Sequence, residues 1–178
     1  MRTTELNIIP ECYVDTKVVE IVGRASRKYN HQHGCGDVAN RLRKSIDQIC
    51  IGIIDEDKNK GPQARYFSEF TQLREGGNLI LKKHGQHKQY LVLICPEIER
   101  WLMNDALAVG IDPTHENYKL PAELEGFKGI SKTQDIDKND GFIRFIKALI
   151  REKAPSITTL KLWIELFQND KLDTLVEN

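Results

Sequence analysis

The chain has 178 residues, 40% of them hydrophobic, with 26 Lys and Arg balanced by 26 Asp and Glu. That length suits one domain with a core of its own, without metals or disulfides as staples. The charge balance excludes a global basic field able to hold nucleic acid unaided and leaves only a local patch for that task.

Cys12, Cys35, Cys50 and Cys95 are widely spread, and two lie in apolar strand-like runs. This pattern points to reduced thiols in an intracellular protein rather than a disulfide framework. The N-terminal residues carry no long apolar segment, so the expectation is a cytoplasmic chain with no membrane span.

In chain order, Leu6 to Pro10 is a short apolar run ending at Glu11. Val14, Val18, Val19 and Val22 recur at helical spacing, and Gly23 ends or interrupts that helix. Arg24 to Gly36 is basic, polar and glycine-tipped, with room for a short strand. Asp37 reads as the N-cap of a helix through Val38, Leu42 and Ile46. Ile49 to Ile54 is an unbroken apolar run rich in β-branched residues, the pattern of a fully buried strand, and it stops at Asp55-Glu56-Asp57.

After Gly61-Pro62, the spacing of Tyr66, Phe67, Phe70 and Leu73 predicts an amphipathic helix ended by Gly76-Gly77. Asn78 to Lys82 and Gln89 to Cys95 read as strands, with His84 and His87 as turn residues between them. Ile98, Trp101, Leu102 and Leu107 mark a helix whose first turn holds Glu97 and Glu99, acids that suit the helix dipole. From Asp112 to Asn139, prolines, glycines and mixed charge predict a long loop. Phe142 to Ile150 and Ile157 to Phe167 are apolar-striped helices, the second capped by Ser156 after Pro155, and Leu172 to Val176 is a last weak helix. Strands alternating with helices argue for an α/β fold with a mostly parallel sheet flanked by helices.

Asp55 and Asp57 then stand at the carboxyl end of a buried strand, where ligands of open α/β sheets bind. Being two apart on an extended backbone, they face one place. Paired carboxylates repel, and a shared proton or a divalent cation relieves them. A solvated acidic loop is the plain alternative. Glu11 sits at a similar strand-to-helix junction.

Glu11-Cys12-Tyr13-Val14-Asp15 resembles the E-G-Y-x-D stretch that opens the Toprim domain of bacterial DNA primases. That domain pairs a glutamate after its first strand with a D-x-D after its third. Here 44 positions separate Glu11 from Asp55, room for a helix, a second strand and another helix. Pro96 to Leu102 is similar to the E-x-E-x-W-L type segment of small bacterial Toprim-like proteins and to acidic residues in the nuclease domains of overcoming-lysogenisation-defect proteins. The likeness covers roughly residues 5 to 110. It implies a Toprim-like (Rossmann-like) α/β domain over 1–112; residues 113–178 fall outside the likeness and read as a loop and helical C-terminal extension packed on the same domain.

The resemblance also implies a function: Mg²⁺-dependent (or Mn²⁺-dependent) phosphodiester chemistry on DNA or RNA, most simply hydrolysis. The chain would then be a nuclease subunit in DNA repair or phage defence, with a larger ATPase as partner. Asp55 and Asp57 would hold the metal, Glu97 or Glu99 a second one, and Glu11 would act as general acid or base. Lys58, Lys60 and Asp15 would face the substrate, although for Asp15 a surface helix position is the plain reading. Cys12 replaces the family's usual glycine, which bears on how closely a phosphate backbone approaches. The competing reading is a non-catalytic module that keeps the acidic site for a metal or nucleotide, or as a scaffold.

Two further patterns carry less. His31, His33 and Cys35 alternate as zinc ligands do, but no second ligand pair at a regular spacing completes a tetrahedral set. Arg24, Arg27, Lys28, Arg41, Arg43 and Lys44 form either a local basic patch or a solvated face. There is no G-x-x-x-x-G-K-[ST] phosphate loop.

Overall fold

The computed structural model describes residues 7–25, 29, 31–56 and 61–176. Its sheet is built around strand β2, Cys50–Asp55, in which every residue is buried. Beside it lies β5, Gln89–Ile94, equally buried. Such continuous apolar strands are stable only where both faces of the sheet are covered. Alternation along each strand divides the core accordingly. Ile51 and Ile53 of β2, with Tyr90 and Val92 of β5, join one buried cluster; Cys50, Ile54, Leu91 and Leu93 join the other.

Among the described residues five strands run in the order β1-β2-β5-β4-β3. β1, Ile8–Pro10, and β5 both pair in parallel with β2. β4, Leu79–His84, pairs antiparallel with β5, and β3, Phe70–Gly76, antiparallel with β4. The sheet is therefore mixed, which corrects the expectation of a mostly parallel one. The cause is local. Gly77 and Asn78 both adopt positive φ, +59° and +53°, in a two-residue link between the paired residues Gly76 and Leu79. Two such residues make the tight hairpin that right-twisted strands favour, and a hairpin forces antiparallel pairing. The predicted helix through Leu73 is correspondingly shortened. Helix α3 is only Ala64–Phe67, and the chain then extends into β3, an edge strand whose Thr71 and Gln72 are exposed.

Helix α1, Tyr13–Val22, covers the first face through Val14, Val18, Val19 and Val22. Helix α2, Cys35–Arg43, covers the second through Val38, Ala39 and Leu42. Its N-cap is Gly34, at φ +127°, and Asp37 lies in its first turn rather than at the cap. The close fit needs a small residue beneath it, since a Cβ on Gly52 would stand 2.9 Å from Val38 Cγ1. Between α1 and α2 the described residues form no strand, so among them the acidic end of β2 follows the second strand rather than the third.

Helix α4, Ile98–Ala108, follows β5. The stretch predicted as a long loop contains helix α5, Leu124–Ser131, and a 3-10 turn at Gln134–Lys138. Gly126 and Gly129 lowered its helical signal, yet Gly126 serves packing, for a Cβ there would meet Pro121 Cβ at 2.8 Å. Helices α6, Asp140–Arg151, and α7, Pro155–Gln168, place Phe142, Phe145, Leu160 and Trp163 in the same cluster as β2 and β5. Asn139 caps α6 by accepting from Phe142 N, and Pro155 opens α7, with Ala154, not Ser156, at its N-cap. A 3-10 turn at Leu172–Val176 ends the described chain. No helix among the described residues is long and apolar enough to cross a membrane.

Candidate functional site

β1 and β2 are neighbours and parallel, so their carboxyl ends lie side by side. Glu11 continues the ladder one step beyond β1, donating its N–H to Ile53 O at 3.0 Å. Its carboxylate is buried, and Oε2 accepts the backbone N–H of Asp55 at 3.1 Å. The Asp55 side chain, also buried, accepts the N–H of Ile98 through Oδ1 at 3.0 Å. That N–H belongs to the first turn of α4, where free amide donors and the helix dipole favour an anion. The carboxyl ends of β1 and β2 and the start of α4 thus meet at Asp55.

Beside Asp55 lies a cavity of about 380 Å³ lined by Cys12, Tyr13, Val14, Asp55, Glu97, Glu99, Lys128, Ser131 and Lys132. Glu97 is the N-cap residue of α4 but makes no side-chain cap bond. Its carboxylate pairs with Lys128 Nζ at 2.9 Å. Glu99 is buried, and its Oε1 accepts the hydroxyl of Ser131. The helix dipole therefore accounts for only part of what these two acids do. Three carboxylates and two lysine ammonium groups face one space, so the lining is bipolar with an acidic excess. Lys128 is held above its ordinary pKa by its hydrogen bond with Glu97.

Asp15 belongs to the interior, not to the surface. It stands three, four and seven residues before Val18, Val19 and Val22, on the same buried face, and that spacing is its signal in the sequence. The Cys12 thiol lies against it: burial first, and then the charge of the Asp15 carboxylate, push the thiol far above its usual pKa. It is a neutral S–H, and no thiolate, that faces the cavity. Cys12 has φ −143° and ψ 179°, extended backbone that any residue adopts, so the glycine of the resembled motif is not required here by conformation.

Asp57, Lys58 and Lys60 lie outside the described residues, as do Arg27 and Lys28 of the proposed basic patch. Arg41, Arg43 and Lys44 project from α2, and Arg43 sits 4.7 Å over the Tyr66 ring. The zinc-like trio is divided. Cys35 turns into the second cluster and accepts from Gln63 Nε2, whereas His31 and His33 pack edge to face at 4.9 Å and His31 stacks on Tyr13. His84 closes the β4–β5 turn, its Nδ1 accepting from Gln86 N and His87 N. Among the described residues no three Asp, Glu, His or Cys side chains are grouped as a metal site.

Lys128, Ser131 and Lys132 have no counterpart in the sequence reading, because they lie on or beside a helix in a stretch of faded periodicity. Only the packing of α5 against α4 brings them to the carboxylates. Comparison of the chain with protein-family models, with curated proteins and with solved structures returns no match.

Proposed function

We propose that this chain carries out Mg²⁺- or Mn²⁺-dependent phosphodiester chemistry on nucleic acid, most simply hydrolysis, at the Glu11–Asp55 edge of a Toprim-like sheet. The observation that carries this reading is the joining of Glu11 to Asp55 through a buried hydrogen bond, next to a cavity lined by Asp55, Glu97 and Glu99 together with Lys128 and Lys132. Supporting it further, every acidic donor facing the cavity is a carboxylate, the hard oxygen ligand that Mg²⁺ takes. The ion uses one or two carboxylates and keeps several waters, so it asks for no closed protein cage.

Asp55, with Asp57, would hold the metal, and Glu97 or Glu99 a second one. A bound divalent cation supplies Lewis-acid polarisation of a phosphoryl oxygen and a more acidic water. The chain's own residues do the rest. Lys128 and Lys132 attract and orient the phosphate, since an ammonium acts on it as a point charge. Glu11 holds or moves the proton at the attacking or leaving oxygen, its position set by the Asp55 N–H. A larger ATPase would bring the substrate.

The non-catalytic reading has one observation in its favour, the use of Asp55 as an anchor for α4. The test is cleavage of labelled single- and double-stranded DNA and RNA with Mg²⁺ or Mn²⁺, comparing wild type, Glu11→Gln and Asp55→Asn. Asparagine keeps an oxygen for Ile98 N, so a loss cannot be blamed on α4. Glu11→Gln should lose about two to four orders of magnitude in rate, the usual contribution of one acid–base group, and Asp55→Asn should lose metal affinity and activity together. Cleavage untouched by both variants, or no cleavage of any substrate, sinks the catalytic reading.

A further inference from the structure

Three aromatic rings gather at the edge of the cavity, at the start of α1. The Tyr13 ring, part of the cavity lining, stacks on His31 with centroids 4.1 Å apart and planes 19° from parallel. His33 stands edge-on to both, 4.9 Å from His31 and 6.2 Å from Tyr13, and is exposed. The first two rings are fixed from behind. Gln134 Nε2 donates to the Tyr13 hydroxyl at 2.8 Å, and His31 Nδ1 lies 3.1 Å from Thr16 Oγ1.

We infer that Tyr13, His31 and His33 form a stacking platform for an unpaired nucleobase beside the phosphate that enters the cavity. The inference rests on the nucleic-acid reading above and narrows it to single-stranded or frayed substrate. Every base has a π face, so aromatic rings hold single strands whatever their sequence, while a base within a duplex has both faces occupied. Rings held in place by their own hydrogen bonds lose little entropy when a base settles on them. The neighbouring lysines and carboxylates recognise a phosphate and its counter-cation; the rings add recognition of what that phosphate carries.

The experiment is fluorescence anisotropy of the full chain with labelled DNA and RNA octamers. Ca²⁺ replaces Mg²⁺, and the set comprises single strands, duplexes and single strands with one abasic position moved along the sequence. Wild type should prefer the single strand and lose roughly fivefold to a hundredfold in affinity at one abasic position, the scale of one base–aromatic stack. His33→Ala and Tyr13→Ala should bind the intact strand correspondingly more weakly and become indifferent to the abasic position. His33 is exposed, so His33→Ala tests the platform even where Tyr13→Ala does not fold.

Equal abasic losses in wild type and His33→Ala, or a preference for duplex, overturn the platform. Metal-dependent cleavage that persists alongside that result leaves the hydrolytic reading standing without it. Base-dependent binding with no cleavage under Mg²⁺ or Mn²⁺ supports the platform and removes the hydrolysis. Absence of binding to every oligonucleotide overturns both.

Discussion

His31 carries its proton on Nδ1, and the reason is a chain of donors. Thr16 gives its single hydroxyl proton to Cys12 O at 2.7 Å, so its oxygen can only accept from the imidazole. The other nitrogen, Nε2, is buried and has no hydrogen-bond partner among the described residues. Burial, then the charge of His33, lower its pKa from the ordinary 6.5, against the hydrogen bond with the Cys12 backbone and the charge of Asp137. The folded state thus favours neutral His31, and its share of stability is present above pH 6.5 and lost as the pH falls through that value toward the folded pKa. In urea titrations the stability margin of wild type over His31→Phe should shrink from pH 7.5 to pH 5.5. A constant margin would mean that His31 titrates normally, and a growing one that folding raises its pKa. Proton NMR should show a depressed midpoint for His31.

A buried side chain of α4, Asp105, caps the start of helix α7. Asp105 accepts from Ser156 N at 3.0 Å and from Ile157 N at 2.7 Å, one carboxylate oxygen for each free amide at the start of α7. Pro155, at the first helical position, has no N–H and takes none of that capacity. Charge-assisted bonds of this kind contribute about 1.5–3 kcal/mol each, and an orphaned buried donor costs further. Asp105→Ala should destabilise the fold by about 3 kcal/mol, and Asp105→Asn, which keeps one acceptor, by clearly less. Chemical denaturation checks this, and equal losses in the two variants would show that packing, not capping, is at stake. Asp55 does the same for α4, so the element that presents Glu97 and Glu99 is itself set by a site residue.

Over the whole molecule, the first face of the sheet is closed by helices from both ends of the chain. Val14 and Val18 of α1, Trp101 and Leu102 of α4, Phe145 and Leu149 of α6, and Leu160 and Trp163 of α7 share one cluster with β2 and β5. Residues 1–112 alone would leave much of that face in water, a contiguous apolar surface that a soluble domain does not sustain. Expressed by themselves they should show no cooperative thermal transition and should bind an apolar dye. A sharp two-state melt would show that the first 112 residues are an independent unit.

The residues by themselves identify most of the elements, because strand and helix periodicity is local. Cys50–Asp55 and Gln89–Ile94 are legible as unbroken apolar runs, α1, α4, α6 and α7 as helical stripes, and Glu11 and Asp55 as acids that end strands. Asp15 is legible too, from its helical spacing to the buried valines of α1. The direction of β3 and β4 hung on the backbone of Gly77 and Asn78, where a glycine pair reads equally as a helix end and as a hairpin. Which distant groups meet is set by packing across the fold. Lys128 reaches Glu97 across 31 positions and Ser131 reaches Glu99 across 32, because α5 packs on α4. No local pattern encodes that, since the contact depends on the burial of one whole helix face against another rather than on any residue's neighbours in the chain.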